Sequence, residues 1–406
     1  MENAALAVAR LREGLPPGNR EILQEISVGC DFLLDFWRDK YFESYLDKGG
    51  SKIKFLTGRM GSGKTHFLEM LALETEKMGY IPITLSARDF WIHDFKEIYT
   101  AILRQVKLLE RLQLCSREIV RQLGYEPEDM PEDISFADYL SSQGRLDPLT
   151  KREIREQLEK QFLANPLLDN NFALACAMLT GGILGHPTLE DASRTLLLQW
   201  LEGSRETKMS SLRRLGLSPS KITKYNARHM LRSLVEVCHL AGYKGLVIAI
   251  DNLEILAGAE SEEALRYTRL KREDAYESIR ELIDEIDTLK HTMFIFSFDR
   301  SLMDDDSKGL KSYQALWMRI QNEIEGSRFN RFADIVDIDR LIDEIYTPEN
   351  IVQISTRLAQ VINRLAQGAT PINLSTAEEL YAKSRFGKMS LLRRVVLSTL
   401  QEGAEQ

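Results

Sequence analysis

The stretch "IKFLTGRMGSGKTHFLEML", residues 53 to 71, constrains the fold more than any other part of this 406-residue chain. A short apolar run enters a glycine-rich turn, and Phe67, Met70 and Leu71 then recur at the three and four spacing of one helical face. The turn, "GRMGSGKT" from Gly58 to Thr65, fits G-x-x-x-x-G-K-[ST] at every fixed position. By composition alone such a match arises in roughly one chain of this length per hundred, and the flanking strand and helix lower that further. An incidental glycine-rich turn is the weaker alternative.

Each residue type there has a physical task. The glycines let the backbone double back, so that N–H groups from Gly58, Arg59, Met60, Gly61, Ser62 and Gly63 face a phosphate. The helix N-terminus behind them, with His66 completing the nucleotide-binding run, adds a partial positive charge. Lys64 can reach β- and γ-phosphates, and the Thr65 hydroxyl can ligate Mg²⁺.

A second stretch narrows the chemistry. In "GLVIAIDNLE", residues 245 to 254, the run Leu246 to Ile250 is apolar enough for a central strand. Asp251 then emerges at its C-terminal end, where ligands bind in open α/β sheets. There it holds Mg²⁺ through water, or else merely caps a buried strand. Asn252 follows, where an acid that polarises water would be expected.

Further strands are expected at "GYIPITLSA", where Pro82 favours an edge or start, at "TMFIFSF" and at "ADIVDID". From about 95 to 235 only helical periodicity appears, and beyond 340 Ile351, Ile354, Leu358, Ile362 and Leu365 form one apolar stripe. Strands separated by helices imply an α/β fold with a parallel sheet covered on both faces. The length argues for a main domain with subsidiary units.

Composition excludes several classes. No apolar run is long enough to span a membrane and the start lacks a secretory pattern, so a cytoplasmic protein is expected. Cys30, Cys115, Cys176 and Cys238 lie far apart without metal or disulfide spacing and read as reduced packing residues. A net charge of -8 gives no global attraction to nucleic acid. Yet Arg205, Lys208, Arg213, Arg214, Lys221, Lys224, Arg228 and Arg232 stand against a single acid, Glu206. That stretch is a candidate contact for duplex DNA, or a solvated helical face, or a partner for the acidic run Glu126, Glu128, Asp129, Glu132 and Asp133.

The chain resembles the BREX-type phage-defence ATP-binding proteins of the BrxC/BrxD group, within the ORC/Cdc6-like branch of AAA+ ATPases. The resemblance rests on "ARLREGLPPGN", "ISVGCD", "FLTGRMGSGKTHFL", "YNARHMLRSLVEVCHLAGYKGLVIAIDNLE", "AYESIRELID" and "KGLKSYQALWMRI". It implies a P-loop AAA+ three-layer core. The expected layout is an N-terminal helical segment (1–50), two core parts (51–104 and 236–339) around a large helical insertion (105–235), and a C-terminal helical lid (340–406).

Several roles follow from the resemblance. ATP and Mg²⁺ are the implied cofactors, with Lys64 and Thr65 at the Walker A positions and Asp251 at the Walker B aspartate. Where the family commonly reads Asp-Glu, this chain reads Asp251-Asn252, and an amide cannot accept a proton at neutral pH. Glu254 either substitutes as the base or packs and caps the next helix. Ser297 or Asp299 is the sensor candidate on its strand, although a small-Thr pair expected there is missing. Arg328 and Arg331 precede the last strand as candidate arginine fingers, and Arg393 or Arg394 is the candidate lid sensor; each is otherwise a surface arginine. The winged helix of origin-recognition relatives has no room after the last strand.

Two functions stand open: a slow ATPase that assembles with itself or with partners on DNA, or an ATP-bound scaffold regulating a partner helicase. A small-metabolite kinase is a weaker third.

Overall fold

The computed structural model describes residues 2–29, 31–131, 133–258, 265–321, 330–365, 368–384 and 389–400. The chain divides into two compact units, one of residues 1–93, 247–286 and 293–406, the other of residues 94–246 and 287–292.

Five strands, β1 (Ser51–Gly58), β2 (Ile81–Ser86), β3 (Leu246–Asp251), β4 (Thr292–Asp299) and β5 (Ile335–Asp337), form one parallel sheet in the order β2-β3-β4-β1-β5. β3 is buried at all six positions and β4 at seven of its eight, which is why both read as unbroken apolar runs rather than alternating ones. β2 takes one edge, where the missing N–H of Pro82 interrupts no inner ladder. β5 takes the other, with Phe55, Leu56 and Thr57 of β1 opposite Ile335, Val336 and Asp337.

This order fixes where a ligand belongs. From β1 the chain crosses to the β2 edge, whereas from β4 it passes to β5 on the opposite side of β1. The loops leaving β1 and β4 therefore diverge, and a crevice opens at their carboxyl ends. The Arg300 N–H donates to the Gly58 carbonyl across that gap at 3.2 Å.

Within the first unit the two ends of the chain share one apolar cluster. Ala7, Val8 and Leu11 from the helix Glu2–Glu13, and Ile22 and Ile26 from Arg20–Ile26, pack with Leu358, Ala359, Val361 and Ile362 from Pro348–Leu365. Each buried Val, Leu or Ile of this cluster contributes about 2 kcal/mol. Periodicity identified the stripe at 351–365 but not that its cover comes from the first thirty residues. A buried lysine anchors the entry to β5: Lys54 is 0% exposed, and its ammonium donates to the Phe332 and Ala333 carbonyls, each at 2.7 Å.

Apart from the first residues of β3 and β4, the second unit is built, among its described residues, from helices and the turns that join them. Phe95, Tyr99 and Ile102 of Phe95–Val106, Leu112 and Cys115 of Leu108–Gln122, Cys176 of Asn170–Leu184, and Leu234 and Cys238 of Ala227–Leu240 are buried there. The three cysteines are free, and burial pushes the thiols of Cys115 and Cys238 up to about 12, so they act as apolar packing groups. Cys30 lies outside the described residues. Among those residues no helix is long and apolar enough to cross a membrane.

Candidate nucleotide site

β1 ends in a loop whose bends call for glycine at fixed points. Gly61 and Gly63 have φ of 76° and 91°, in the left-handed region that glycine enters freely. A Cβ at Gly58 would meet the Ser62 hydroxyl at 2.5 Å, and one at Gly61 would meet the Arg393 Cβ at 2.6 Å. The helix Lys64–Lys77 starts directly behind, with Phe67, Met70 and Leu71 buried. Its first residue folds back over the loop, since the Lys64 ammonium donates to the Gly58 carbonyl at 2.7 Å and the Arg59 carbonyl at 3.1 Å. Met60 faces solvent at 75% exposure, and the Ser62 hydroxyl is buried without a hydrogen-bond partner among the described residues.

The carboxylate of β3 arrives at the same loop. Thr65 Oγ1 donates to Asp251 Oδ2 at 2.7 Å, and Asp251 Oδ1 accepts the Asn252 N–H at 2.9 Å. Asp251 is 7% exposed, so these two donors replace the water that an exposed carboxylate would hold. Residues 186 positions apart thus place a hydroxyl and a carboxylate in contact.

Asn252 sits at φ 64° and ψ 34°. That left-handed conformation suits asparagine better than glutamate, which gives the Asp-Asn pair a backbone reason. Its Oδ1 accepts from the Ser86 hydroxyl at 3.1 Å. Glu254 is held elsewhere: Oε2 accepts the Asp299 N–H at 3.0 Å, while Oε1 lies 3.5 Å from the Asn252 amide and 3.6 Å from the Arg88 guanidinium. Glu254 therefore ties the ends of β3 and β4 together. Asp299 Oδ1 accepts the Ser301 N–H at 3.0 Å, whereas the Ser297 hydroxyl is buried without a partner among the described residues.

A cavity of about 160 Å³ opens beside the loop, floored by Gly61, Gly63, Lys64, Thr65 and His66. Its apolar wall includes Leu11, Ile26, Leu358 and Val396, so it draws on both chain ends. His66 Nε2 lies 2.7 Å from the Ser27 hydroxyl, which itself donates to the Leu23 carbonyl at 2.6 Å. With that hydroxyl hydrogen committed, Nε2 carries the imidazole proton. Burial holds His66 down at about 4, so the ring is neutral at pH 7. Arg357 and Tyr346 donate to the Ser27 and Val28 carbonyls and fix this wall.

The arginines divide. Arg393 lines the cavity, yet its guanidinium donates to the Leu11 carbonyl at 3.2 Å and the Arg12 carbonyl at 2.6 Å. Arg394 turns to the Met389 carbonyl at 3.4 Å. Arg331 is exposed, its guanidinium 4.6 Å from the Phe36 ring and 5.5 Å from that of Phe32, so the structure does not bring it to the loop residues. Arg328 lies outside the described residues.

Two supports were not singled out from the sequence. Asp339, in the first turn of the helix Ile338–Ile345 that follows β5, accepts the Arg59 N–H at 2.6 Å. Ser27 orients His66. The first carries no signal beyond an acid near a helix start, and the second none at all.

In the second unit the basic stretch also divides. Arg205, Lys208, Arg213, Arg214, Lys221 and Lys224 are exposed. Arg228 lies over the Phe95 ring at 4.8 Å, and Arg232 donates to the Leu167 carbonyl at 3.2 Å. From the acidic run, Glu128 pairs with Arg121 at 2.9 Å. Glu132 lies outside the described residues.

A parallel sheet that leads a glycine-rich loop, its lysine and a Thr–Asp contact to one carboxyl edge defines a P-loop nucleotide-binding protein of the α/β class. The family model for the BREX system ATP-binding protein BrxC/D matches residues 3–396, and the chain belongs to that family. Membership supports an ATP-binding role in phage defence. No curated protein matches the chain.

Proposed function

We propose that this chain binds ATP with Mg²⁺ as an AAA+ module, hydrolyses it slowly, and assembles with itself or with partners on duplex DNA during antiviral defence. The observation that carries this reading is the Thr65–Asp251 contact at 2.7 Å beside the glycine loop. The residues fit the ligands: Gly61 and Gly63 take the left-handed turns that bend the loop back on itself, and the donor set is a hydroxyl and a buried carboxylate. Thr65 and Asp251 would hold Mg²⁺, directly or through water, and the ion when bound neutralises charge on the phosphate oxygens.

The chain's own residues do the rest. Lys64 exchanges two carbonyl partners for phosphate oxygens, a charge-assisted bond being the stronger one. The apolar cavity walled from both chain ends suits the base, with residues 340–406 as the lid and 105–235 as the insertion. Arg331 suits a role in a neighbouring subunit's site, because its contacts leave it at the surface, and Arg328 is a candidate for the same role from its place in the sequence alone. The six exposed cations between Arg205 and Lys224 favour contact with DNA phosphates.

Asn252 favours the slow end of the range. An amide can orient water but cannot take its proton, and the loss of a general base costs a factor of about a hundred to ten thousand in rate. Glu254 would have to leave the Asp299 N–H to act in its place. The second reading, an ATP-occupied scaffold for a partner helicase, rests on the same two residues.

Single-turnover measurements with radiolabelled ATP, with and without duplex DNA, separate the two. Slow turnover that DNA accelerates supports the ATPase. ATP retained intact over hours in both conditions sinks it in favour of the scaffold.

A further inference from the structure

Lys96, Arg205 and Lys221 line one cavity of about 50 Å³ in the second unit, together with Trp200, Gly203 and Ile222. Among the described residues none of these three cations has a carboxylate within 4 Å. Three like charges around one hollow repel one another, and an anion seated between them removes that cost.

The hollow is also fixed in shape. Trp200, 2% exposed, donates its indole N–H to the Ser220 carbonyl at 3.0 Å. The Asn226 amide donates to the Lys221 carbonyl at 3.1 Å, so the backbone bearing Lys221 is held from two sides. Ser204 Oγ accepts the Glu206 N–H at 3.3 Å and closes the turn that presents Arg205. At Gly203, φ 68°, a Cβ would come within 2.8 Å of Lys96 Cε. The Lys96 stem thus lies directly against the turn.

We infer that Lys96, Arg205 and Lys221 form a preformed pocket that seats one backbone phosphate of duplex DNA. This rests on the DNA reading above and deepens it. A free phosphate offers the same chemistry but reaches only the pocket. Lys208, Arg213, Arg214 and Lys224 are exposed nearby in sequence, and a duplex bearing one charge per roughly 1.7 Å of axis can engage pocket and rim together. Tyr225, four residues along the chain from Lys221, is 80% exposed with the Lys224 ammonium 5.2 Å from its ring and adds a flat apolar surface.

The test uses the full chain and a fluorescent duplex, with anisotropy read across a salt series. Two variants remove equal charge: the pocket triple Lys96→Gln, Arg205→Gln, Lys221→Gln, and the rim triple Lys208→Gln, Arg213→Gln, Arg214→Gln. The pocket triple is expected to lose about tenfold or more in affinity, to lose more than the rim triple, and to lower the log K against log salt slope by about 1. Equal losses in the two triples overturn the pocket and leave DNA contact standing as a diffuse field. A loss confined to the rim triple does the same. No duplex binding by the unaltered chain at low salt overturns both the pocket's occupant and the DNA reading. In that case a melting shift with inorganic phosphate, absent in the pocket triple, assigns the hollow to a small anion instead. Far-UV circular dichroism and thermal melts that match those of the unaltered chain report that the second unit, which carries all six substitutions, is folded in both triples.

Discussion

The carboxyl edge of the sheet and the basic face of the helical unit hold charge in opposite ways. At the sheet, Lys64, Thr65, Asp251, Asn252 and Glu254 are each tied to a named protein partner before any ligand arrives. On the helical unit, six cations face solvent without a carboxylate in reach among the described residues. The first is a self-satisfied network that a ligand must reorganise, and the second is a surplus that a ligand completes. Substitutions should therefore act differently in the two regions, on binding and fold in one and on salt-dependent association in the other.

The largest expected effect is at Lys64. Lys64→Ala should weaken ATP binding by about a hundredfold while the melting temperature holds, because the carbonyls it releases belong to an open loop and can turn to water. Calorimetric titration and a thermal melt check both halves. Unchanged affinity would erase the contrast between the regions.

Next comes His66, whose titration bears on the first region. Its folded pKa, about 4, lies below the ordinary 6.5, so the unfolded chain binds the proton more readily. The neutral ring's contribution, on the order of 3 kcal/mol, is fully present above pH 6.5 and is lost as pH falls toward 4. Urea melts between pH 7.5 and 4.5 should show a steeper decline in the unaltered chain than in His66→Gln. Parallel curves would mean that the ring is solvated.

How much of this was legible follows from the range of each interaction. The P-loop announces itself because its chemistry is set by residues within eight positions, and β3 and β4 because burial on both faces demands unbroken apolar runs. Strand order, the Asp339 hold on Arg59, and the pairing of residues 7–26 with 358–362 are contacts across hundreds of residues, on which local spacing is silent. Asn252 shows the limit most clearly. Chemistry alone reads it as a lost base, while the backbone adds a second reason in its left-handed φ.

That reason sharpens into a smaller prediction. Asn252→Val should cost about 1–2 kcal/mol in a chemical melt and Asn252→Gly about 0.5 kcal/mol or less, since glycine enters the left-handed region freely and a β-branched residue does not. Equal costs would point to the Ser86 hydrogen bond instead. The smallest effect is expected on the other region: Arg213→Gln with Arg214→Gln should change stability by no more than about 0.5 kcal/mol, because neither side chain is bound into the fold. A larger loss in the same melt would show that this face supports the helical unit.

The central claim is that the loop at residues 58–65 and the carboxylate of Asp251 serve one magnesium-bound nucleotide. Calorimetric titration of ATP with and without Mg²⁺, into the unaltered chain and into Asp251→Asn, tests it as a thermodynamic cycle. Mg²⁺ is expected to tighten binding by about tenfold or more in the first protein and to have little effect in the second, with magnesium-free affinities alike. The same magnesium dependence in both proteins would contradict it.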